Sequence, residues 1–592
     1  MVLAGPGSGK TLTIVKRIEY LIKKYNVRPE DVLVVTFTKA AAGEMRERFY
    51  YLMKSRNVPV TFGTFHSIFY GILKWSYHLS ANNFLGEQEQ FQLVGQACEA
   101  ANLETDQNLI TDILKEIGRR KSRYPKNDVA APQISISSLK TETFERIEKE
   151  YEKQKERVGK YDFDDMLVKC CELFRSHPAI LEQWQNRFQY ILIDEFQDIN
   201  PVQYEVIKML SSRRKNLFIV GDDDQSIYRF RGADPSIMLG FEKDYPEAVK
   251  IILDINFRAA ADLVNNAERV IRHNQKRFQK EIRAHQDHGG SICISEFADA
   301  PAESRAIAGK IGKLLEQGAA LEQMAVLFRS KSDAGCLVET FLEHAIPFYM
   351  KEQITSIYEH FISRDIISYI KLAAGSRLRA DYLRISNRPN RYIKRDSLDE
   401  KEITFESLRW YYEDLEWMQD YIDQFEEDVK MLSKMAPYAA ITYIRKRIGY
   451  DCFLREYAAA RRIKEEPLFE VMEELEERAK NYSSLTEWLA GIVQYNQHLR
   501  SEKDKRRQKK EGVWLMSMHS AKGLEFETVF IIGANEGCIP HKKAVMDEEI
   551  EEERRIFYVA LTRAKQQLYI SFVKEKNGKE LSSSRFIEQL SD

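Results

Sequence analysis

The sequence predicts an α/β fold with parallel sheets, organised in more than one domain. The chain opens with a short apolar strand, a glycine-rich turn and an amphipathic helix. Two later apolar strands, at residues 190–193 and 217–221, each end in a group of polar residues. Strands that alternate with helices in this way are typical of parallel sheets. At 592 residues the chain also exceeds the length over which one hydrophobic core keeps growing, so we expect several domains.

Composition and charge describe a globular protein and limit how it could bind nucleic acid. Hydrophobic residues make up 44% and charged residues 30% of the chain, which excludes wholesale disorder. The formal net charge is −2 and the sequence pI is about 6.7. The globally basic surface that often accompanies nucleic-acid binding is therefore lacking. Any contact with nucleic acid has to come from a local cleft.

The cysteines and the hydropathy pattern indicate a cytoplasmic protein. Seven cysteines occur without a CxxC pair or an evenly spaced framework, so the sequence supports neither a zinc ribbon nor a disulfide scaffold. Cys170 and Cys171 are expected to act as small apolar residues. No apolar stretch approaches the roughly 18 residues of a membrane span, and no signal peptide precedes the first motif. These features fit a reducing cytosol.

Residues 1–11, MVLAGPGSGKT, have the pattern of a phosphate-binding loop between a strand and a helix. Alanine at position 4 replaces the usual first glycine. The glycines let the backbone curl so that amide groups face the β-phosphate. Lys10 places a charge on the β- and γ-phosphates, and the hydroxyl of Thr11 binds Mg²⁺. The predicted nucleotide-binding residues are Ala4, Gly5, Pro6, Gly7, Ser8, Gly9, Lys10 and Thr11. This motif predicts a nucleoside triphosphatase and nothing narrower.

Two adjacent carboxylates follow the strand at residues 190–193. Beside a phosphate loop, Asp194 is placed to bind Mg²⁺, and Glu195 to orient and deprotonate the attacking water. A solvated turn is the alternative, but a second polar-ended strand roughly 25 residues later favours chemistry. After that strand, Gln225 is suited to sensing the γ-phosphate. The three aspartates at 222–224 are explained equally well by turn capping and by chemistry.

A series of motifs runs along nearly the whole chain, in the order AGPGSGKT, TFTKAAAGEM, GTFHS, DEFQD, VGDDDQSIYRFRGA, LDINFR, MSMHSAKGLEF and EEERRIFYVALTRAK. This series closely resembles the UvrD/Rep family of superfamily 1 DNA helicases. The resemblance implies two RecA-like P-loop motor domains with parallel sheets, each interrupted by a mostly helical insertion, with ATP held between them. It implies a helicase that uses Mg²⁺ and ATP to move 3′ to 5′ on single-stranded DNA and to unwind duplex. A translocase that removes bound proteins with little unwinding is the alternative.

The resemblance assigns roles to further residues of the nucleotide site. Arg258 and Arg563 resemble the two arginine fingers, whose guanidinium groups stabilise charge on the γ-phosphoryl oxygens during transfer. Surface salt bridges are the alternative for both arginines. Gln225 would link the γ-phosphate to the DNA-binding face, Phe257 would stack on adenine, and Glu525 would bond to the ribose. The predicted catalytic residues are Glu195, Gln225, Arg258 and Arg563.

Aromatic residues at loop positions of the motifs predict the path of single-stranded DNA. Tyr228 and Phe230 alternate with arginines, a poor environment for burial and a pattern typical of surfaces that stack on unpaired bases. A core position is almost as good an explanation of Phe65. The predicted DNA contacts are Phe37, Thr64, Phe65, His66, Tyr228, Phe230, Arg231 and His519. The predicted partners are single-stranded and tailed duplex DNA, together with unidentified repair or replication proteins.

Two departures from the family pattern alter the expected adenine site. Relatives carry an upstream segment whose glutamine reads the edge of adenine, whereas this sequence opens on the last residues of the first strand. We therefore expect either a truncated N-terminus or a misassigned start. Leu12 stands where many relatives have an arginine that packs on the base.

The positions of the motifs predict the limits of the domains. The first motor domain is expected at 1–71 and 159–262, with a helical insertion at 72–158. The second is expected at 263–355 and 509–592, with a helical insertion at 356–508.

One basic segment in the second insertion is a candidate for duplex contact. Arg377–Arg395 contains seven basic residues against one acidic residue, a density that supports contact with phosphates. Relatives use a glycine-containing turn near here, where this chain has Tyr392-Ile393-Lys394, so a solvated surface stays open as the alternative. The basic run Lys503–Lys510 is interpreted as a solvated hinge.

Overall fold

The structure, a computed structural model, describes all residues except 102, 104–106, 125–135, 137–138, 287, 353–355, 462–463, 506–511, 577 and 592. Contacts divide the chain into two units, the first comprising Met1–Gly290 and Met546–Tyr558 and the second Ser291–Val545 and Val559–Asp592. Each unit contains a six-stranded parallel sheet, which confirms the predicted fold class. The domain limits stay predictions, and those at 355 and 508 fall outside the described residues.

The sheet of the first unit has the strand order β3-β2-β4-β5-β1-β6. Its strands are β1 (Val2–Ala4), β2 (Val32–Thr36), β3 (Thr61–Thr64), β4 (Tyr190–Ile193), β5 (Leu217–Gly221) and β6 (Ile251–Leu253), and a parallel pair, β7 (Ile255–Asn256) and β8 (Arg283–Ala284), follows. Because the six strands are parallel, their carboxyl ends lie along one edge of the sheet. The loops after β1, β4 and β5 carry predicted catalytic or nucleotide-binding residues and therefore meet at that edge.

Helices cover both faces of this sheet. The helices within residues 1–290 are α1 (Lys10–Tyr25), α2 (Lys39–Met53), α3 (Phe65–Tyr77), α4 (Glu87–Ala100), α5 (Gln107–Lys121), α6 (Thr141–Val158), α7 (Phe163–Ser176), α8 (Pro178–Arg187), α9 (Pro201–Ser211), α10 (Pro235–Leu239), α11 (Phe241–Asp244) and α12 (Ala261–Ile271). Side chains of a strand alternate between its two faces. On β2, Val32 and Val34 join a core with α1 and α2, whereas Leu33 and Val35 join a core with α3, α7 and α9.

Helices α4, α5 and α6 have a core of their own. Val94, Ile113 and Phe144, one from each helix, are fully buried in it. At its border the ammonium group of Lys155, only 3% exposed, lies 2.8 Å from Asp162 and 2.5 Å from Asp165. A buried lysine needs such partners because isolated charges are costly to bury.

The sheet of the second unit has the strand order β11-β12-β10-β13-β14-β9. Its strands are β9 (Ser291–Phe297), β10 (Met324–Phe328), β11 (Phe348–Met350), β12 (Val513–Ser517), β13 (Phe526–Ile531) and β14 (Ala564–Val573), and an antiparallel pair, β15 (Glu575–Lys576) and β16 (Lys579–Glu580), follows. The helices of this unit are α13 (Ala300–Glu316), α14 (Gly335–Glu343), α15 (Phe361–Ala373), α16 (Arg379–Ile385), α17 (Phe405–Tyr411), α18 (Glu416–Leu432), α19 (Pro437–Lys446), α20 (Tyr450–Arg461), α21 (Glu466–Ala479), α22 (Leu485–Lys505) and α24 (Arg585–Ser591). Helix α23 (Asp547–Leu561) lies mostly in the first unit, up to Tyr558.

The helices α15 to α22 share one continuous core with this second sheet, unlike the separate core of the first insertion. A buried ion pair lies inside it: Arg478 of α21 contacts Glu339 of α14 at 3.2 Å, and both side chains are 3% exposed. The hydroxyl of Tyr358 donates to the same carboxylate at 2.6 Å. The guanidinium fills the space beside Gly335, where a Cβ would lie 2.0 Å from it.

The expectations about cysteines and membrane spans can be compared with the structure. Cys170 and Cys171 are fully buried and unpaired, as small apolar residues are. Within the described part of the chain, every helix is too short or too polar to cross a membrane.

We expect Arg478→Met to destabilise the second unit by about 3–5 kcal/mol, because it leaves the carboxylate of Glu339 buried without its cation. Chemical denaturation followed by circular dichroism measures this change. Arg455→Met on α20 is the control: its pair with Glu465 is exposed, at 3.8 Å, and should contribute less than about 1 kcal/mol. Equal losses in the two variants would contradict the structural role of Arg478.

Candidate functional site

The predicted phosphate-binding loop forms between β1 and α1. Gly7 and Gly9 adopt left-handed conformations with φ of 68° and 88°, which glycine adopts without strain. A Cβ at Gly7 would lie 2.6 Å from the Cβ of Arg258, so only glycine fits there. Helix α1 then begins at Lys10, and its first amide groups form the kind of anion site found at helix N-termini.

The loop is braced internally. The hydroxyl of Ser8 donates to the carbonyl oxygen of Gly5 at 2.8 Å, and the amide of Gly5 donates to Leu253 at 3.4 Å. Ala4 and Pro6 are buried, and Ala4 belongs to the core with α1. The ammonium group of Lys10 lies 3.9 Å from Asp222.

Asp194 and Glu195 supply the two carboxylates that follow β4. Asp194 is 5% exposed and accepts the amide of Glu195 at 3.0 Å. Glu195 has a positive φ of 51°, an uncommon conformation for this residue type and one that often accompanies a functional constraint.

Gln197 is a site residue that sequence reasoning missed. Its amide nitrogen donates to the carboxylate of Glu195, and its amide oxygen accepts the backbone N–H of Asp222 at 2.9 Å. The side chain is fully buried and joins the ends of β4 and β5. The sequence could have indicated this role, because Gln197 stands two residues after Glu195 and its amide group can both donate and accept a hydrogen bond.

The residues predicted to bind a metal have suitable chemistry. Asp194 and Thr11 offer a carboxylate and a hydroxyl oxygen, the hard ligands that Mg²⁺ prefers. Both follow strands of the same sheet, β4 and β1.

The three aspartates after β5 cap a turn and also form a buried ionic cluster. Asp222 accepts the amide of Asp224 at 3.3 Å and the side chain of Gln225 at 2.6 Å. The ammonium group of Lys280, fully buried, contacts all three carboxylates, at 2.7 Å for Asp222 and 3.0 Å for Asp224. Burial favours a protonated Asp222, but Lys280 and Lys10 lower its pKa to about 2. Capping and ion pairing are therefore combined here.

Phe257 and Arg258 lie against the phosphate loop. The amide of Phe257 donates to the carbonyl of Gly7 at 3.0 Å, and its ring is 61% exposed. That ring contacts His285, with 4.9 Å between centroids, because β7 and β8 are parallel and end side by side. Arg258 is half-buried, and its amide donates to the side chain of Asn256 at 2.8 Å.

Three predicted site residues belong to the second unit. Arg563 is 1% exposed and donates from Nε to the carbonyl of Val559 at 2.8 Å and from Nη1 to Leu524 at 3.0 Å. Glu525, predicted to bond to the ribose, pairs with Lys565 at 3.1 Å. His519 lies in the turn after β12.

Four of the predicted DNA contacts form one aromatic and basic cluster. The rings of Phe37 and Tyr228 are stacked, with 5.1 Å between centroids and 8° between planes. Phe230 packs edge-on against Tyr228 at 6.0 Å and is 51% exposed. The guanidinium of Arg231 lies over both rings, 5.3 and 5.5 Å from their centroids. The cluster therefore combines aromatic rings with a cation, and its role as a DNA contact stays a prediction.

The remaining contacts of the first unit lie around the start of α3. Thr64 caps the helix and accepts the amide of Ser67 at 3.2 Å. Phe65 is 4% exposed and packs against Phe69, which favours the core alternative. Burial lowers the pKa of His66, so the ring is expected to be neutral at pH 7.

The basic segment of the second insertion uses several of its charges internally. Arg391 is buried, donates to three backbone carbonyls, and lies 4.4 Å from the ring centroid of Phe425. Arg384 and Arg388 both pair with the fully buried carboxylate of Asp365. Arg377, Lys394 and Arg395 are the exposed basic residues of this segment. Part of the run Lys503–Lys510 lies outside the described residues.

Two family models match most of the chain. A family model for the UvrD/REP helicase N-terminal domain matches residues 1–246, and one for the UvrD-like helicase C-terminal domain matches residues 251–575. The chain therefore belongs to the UvrD/Rep helicase family.

Individual relatives match over most of both chains. YjcD of Bacillus subtilis (strain 168) is 34% identical, over 100% of this chain and 79% of its own length. The ATP-dependent DNA helicase PcrA of the same organism is 31% identical, over 100% of this chain and 84% of its own. PcrA of Staphylococcus epidermidis (strain ATCC 12228 / FDA PCI 1200) is 32% identical, over 96% of this chain and 81% of its own length.

We expect Glu268→Gln to stabilise the protein at pH 8 but not at pH 4. One oxygen of this buried carboxyl group has no hydrogen-bond partner among the described residues, and burial raises its pKa from 4.5 to about 7. The folded state therefore binds the proton more tightly, so the stability that Glu268 contributes is complete below pH 4.5 and is lost as the pH rises to 7.

Unfolding free energies measured from pH 4 to pH 8 give the size of this effect, on the order of 3 kcal/mol. Glu281→Gln, at a side chain that is 86% exposed, is the control and should leave the pH dependence unchanged. An identical slope for wild type and Glu268→Gln would show that Glu268 titrates normally.

Proposed function

We propose that this chain is an ATP-dependent DNA helicase that moves 3′ to 5′ on single-stranded DNA and unwinds duplex, driven by Mg-ATP hydrolysis in a cleft between two motor domains. Its family makes it an ATP-dependent DNA helicase by class. One observation supports the finer statement most: the loop after β5 carries Gln225 beside the phosphate loop and, within five residues, the aromatic pair Tyr228 and Phe230. The proposed polarity rests on the family resemblance.

The proposed chemistry follows from the ends of three neighbouring strands. Thr11 and Asp194 would hold Mg²⁺, which neutralises charge on the phosphates when bound. Glu195 would accept a proton from the attacking water, with its carboxylate oriented by Gln197. Lys10 would leave the vicinity of Asp222 for the β- and γ-phosphates. Arg258 and Arg563 would stabilise the charge that spreads over the γ-phosphoryl oxygens.

The proposed DNA path follows the cluster of Phe37, Tyr228, Phe230 and Arg231. Exposed aromatic faces stack on bases of any sequence, and a guanidinium beside them binds phosphate. Thr64, His66 and His519 would extend this path, and single-stranded and tailed duplex DNA are the proposed partners.

A translocase with little unwinding is the second candidate, and the second insertion supports it. Arg384, Arg388 and Arg391 are committed to Asp365 and to backbone carbonyls, which leaves few charges for duplex phosphates. ATP hydrolysis measured with and without single strands, beside strand displacement on 3′- and 5′-tailed duplexes, distinguishes the two functions. Displacement only on 3′-tailed duplex supports the helicase, and DNA-stimulated hydrolysis without displacement supports the translocase.

We expect Glu195→Gln to reduce ATP hydrolysis by about 10²–10⁴-fold while ATP and DNA still bind, because only proton acceptance is lost. Steady-state hydrolysis and nucleotide binding measure the two effects separately. Glu205→Gln, at a partly exposed carboxylate of α9 in a pair with Arg175, is the control and should hydrolyse ATP normally. Hydrolysis near the wild-type rate in Glu195→Gln would remove this residue from its proposed role.

We expect Tyr228→Ala with Phe230→Ala to weaken single-strand binding by roughly 2–6 kcal/mol, since each base stack contributes about 1–3 kcal/mol. Fluorescence anisotropy with a labelled oligothymidine measures the change. Tyr51→Ala, at a ring on α2 that is 88% exposed, controls for loss of a surface aromatic residue. Undiminished affinity in the double variant would place the DNA elsewhere.

A further inference from the structure

Residues 274–280, NQKRFQK, run as irregular backbone after α12 and lie outside every predicted site. The first half of this segment binds α23. The side chain of Asn274 donates to the carbonyl of Glu551 at 3.0 Å and accepts from Arg554 at 2.5 Å. The amide of Gln275 donates to the carboxylate of Glu551 at 2.6 Å, and Arg555 donates to the carbonyl of residue 276 at 3.0 Å.

The second half binds the three aspartates after β5. Arg277 makes two hydrogen bonds to Asp224, at 2.9 and 2.7 Å. The amide of Phe278 donates to Asp223 at 2.8 Å. Lys280 contacts all three carboxylates. The pKa of Lys280, which burial would lower, is raised well above its usual value by Asp222, Asp224 and Asp223.

Asn274 and Lys280, at the two ends of the segment, make their contacts in buried surroundings. Asn274 is 2% exposed, and the side chain of Lys280 is fully buried. Arg554 and Arg555 are buried as well. In such surroundings hydrogen bonds are strong and an unpaired partner is costly, so the segment holds both of its neighbours in one arrangement.

The contacts of residues 274–280 lead, at each end, to residues that have a role in the proposed ATP hydrolysis. At one end Asp222 accepts from Gln225 at 2.6 Å and lies 3.9 Å from Lys10. At the other end α23 runs to Leu561, and Thr562 and Arg563 follow directly.

We propose that residues 274–280 are a linkage between the Gln225 loop and helix α23, which ends two residues before Arg563, with Asn274 and Lys280 as positioning residues. A change at the γ-phosphate would pass from Gln225 through Asp222 and Lys280 to Asn274, and from there along α23 to the arginine. The proposal rests on the proposed function, because it uses the roles given there to Gln225 and Arg563.

A kinetic cycle between Asn274 and Arg563 tests the linkage. We expect Asn274→Ala to lower the DNA-stimulated kcat about tenfold or more, and Arg563→Ala to lower it about 10³-fold. If Asn274 acts through Arg563, the double variant matches Arg563→Ala alone, because the linkage has nothing left to position. A further tenfold loss in the double variant would mean that the two residues act independently, and would overturn the proposal.

Asn266→Ala is the matched control. Asn266 lies on α12, and its side chain donates to the carbonyl of Asp262 one turn earlier in the same helix, in an exposed position. We expect this variant to keep the wild-type kcat. Thermal melting shows whether Asn274→Ala is folded. If it is not, Glu551→Gln enters the same cycle, because it keeps an oxygen that accepts from Gln275 while it removes the charge.

A second measurement does not require helicase activity. Hydrogen exchange of the amides in residues 547–561 is followed with and without a non-hydrolysable ATP analogue and Mg²⁺. We expect the analogue to slow exchange in wild type but not in Asn274→Ala, although both proteins bind it equally. Equal protection in both proteins would overturn the linkage. Failure of the wild type to unwind or to hydrolyse ATP would instead count against the proposed function.

Discussion

The buried ammonium group of Lys280 holds the polar edge of the first sheet together. Three adjacent carboxylates at positions 222–224 could not stay charged in the interior without a cation in contact with them. With that cation in place, the two oxygens of Asp222 have different partners, Lys280 on one side and Gln225 on the other. The loop after β5 thereby contacts both Lys10 of the phosphate loop and the segment that follows α12.

Because buried charges need partners, a high density of basic residues in the sequence is not by itself evidence of contact with DNA. In the second insertion Arg391 lies in the core over Phe425, and Arg388 is paired with the buried Asp365. The cluster of Tyr228, Phe230 and Arg231, by contrast, has one exposed guanidinium and two aromatic rings. Such a surface would bind unpaired bases mainly by stacking, which fits a chain whose net charge is only −2.

The features of the site that depend on short stretches of sequence could be predicted from the sequence. Glycines at 7 and 9 adopt the positive φ angles that the phosphate loop needs, and polar residues directly follow the apolar runs of β4 and β5. Both features depend on a few consecutive residues, so the α/β class, the parallel sheets and the phosphate-binding loop could be predicted. The residues next to Phe65 in the sequence fit either stacking on a base or a position in the core. The structure favours the core, because it places Phe65 beside Phe69.

By itself, then, the sequence determined the motif series, the family and the residues that follow each strand. Only the tertiary structure decided how those residues are held. Gln197 accepts from Asp222, 25 positions further along the chain, and Asn274 accepts from Arg554, 280 positions away. Hydrogen bonds between such distant positions leave no periodicity or spacing in the sequence, because they depend on how separate elements pack and not on the conformation of either one.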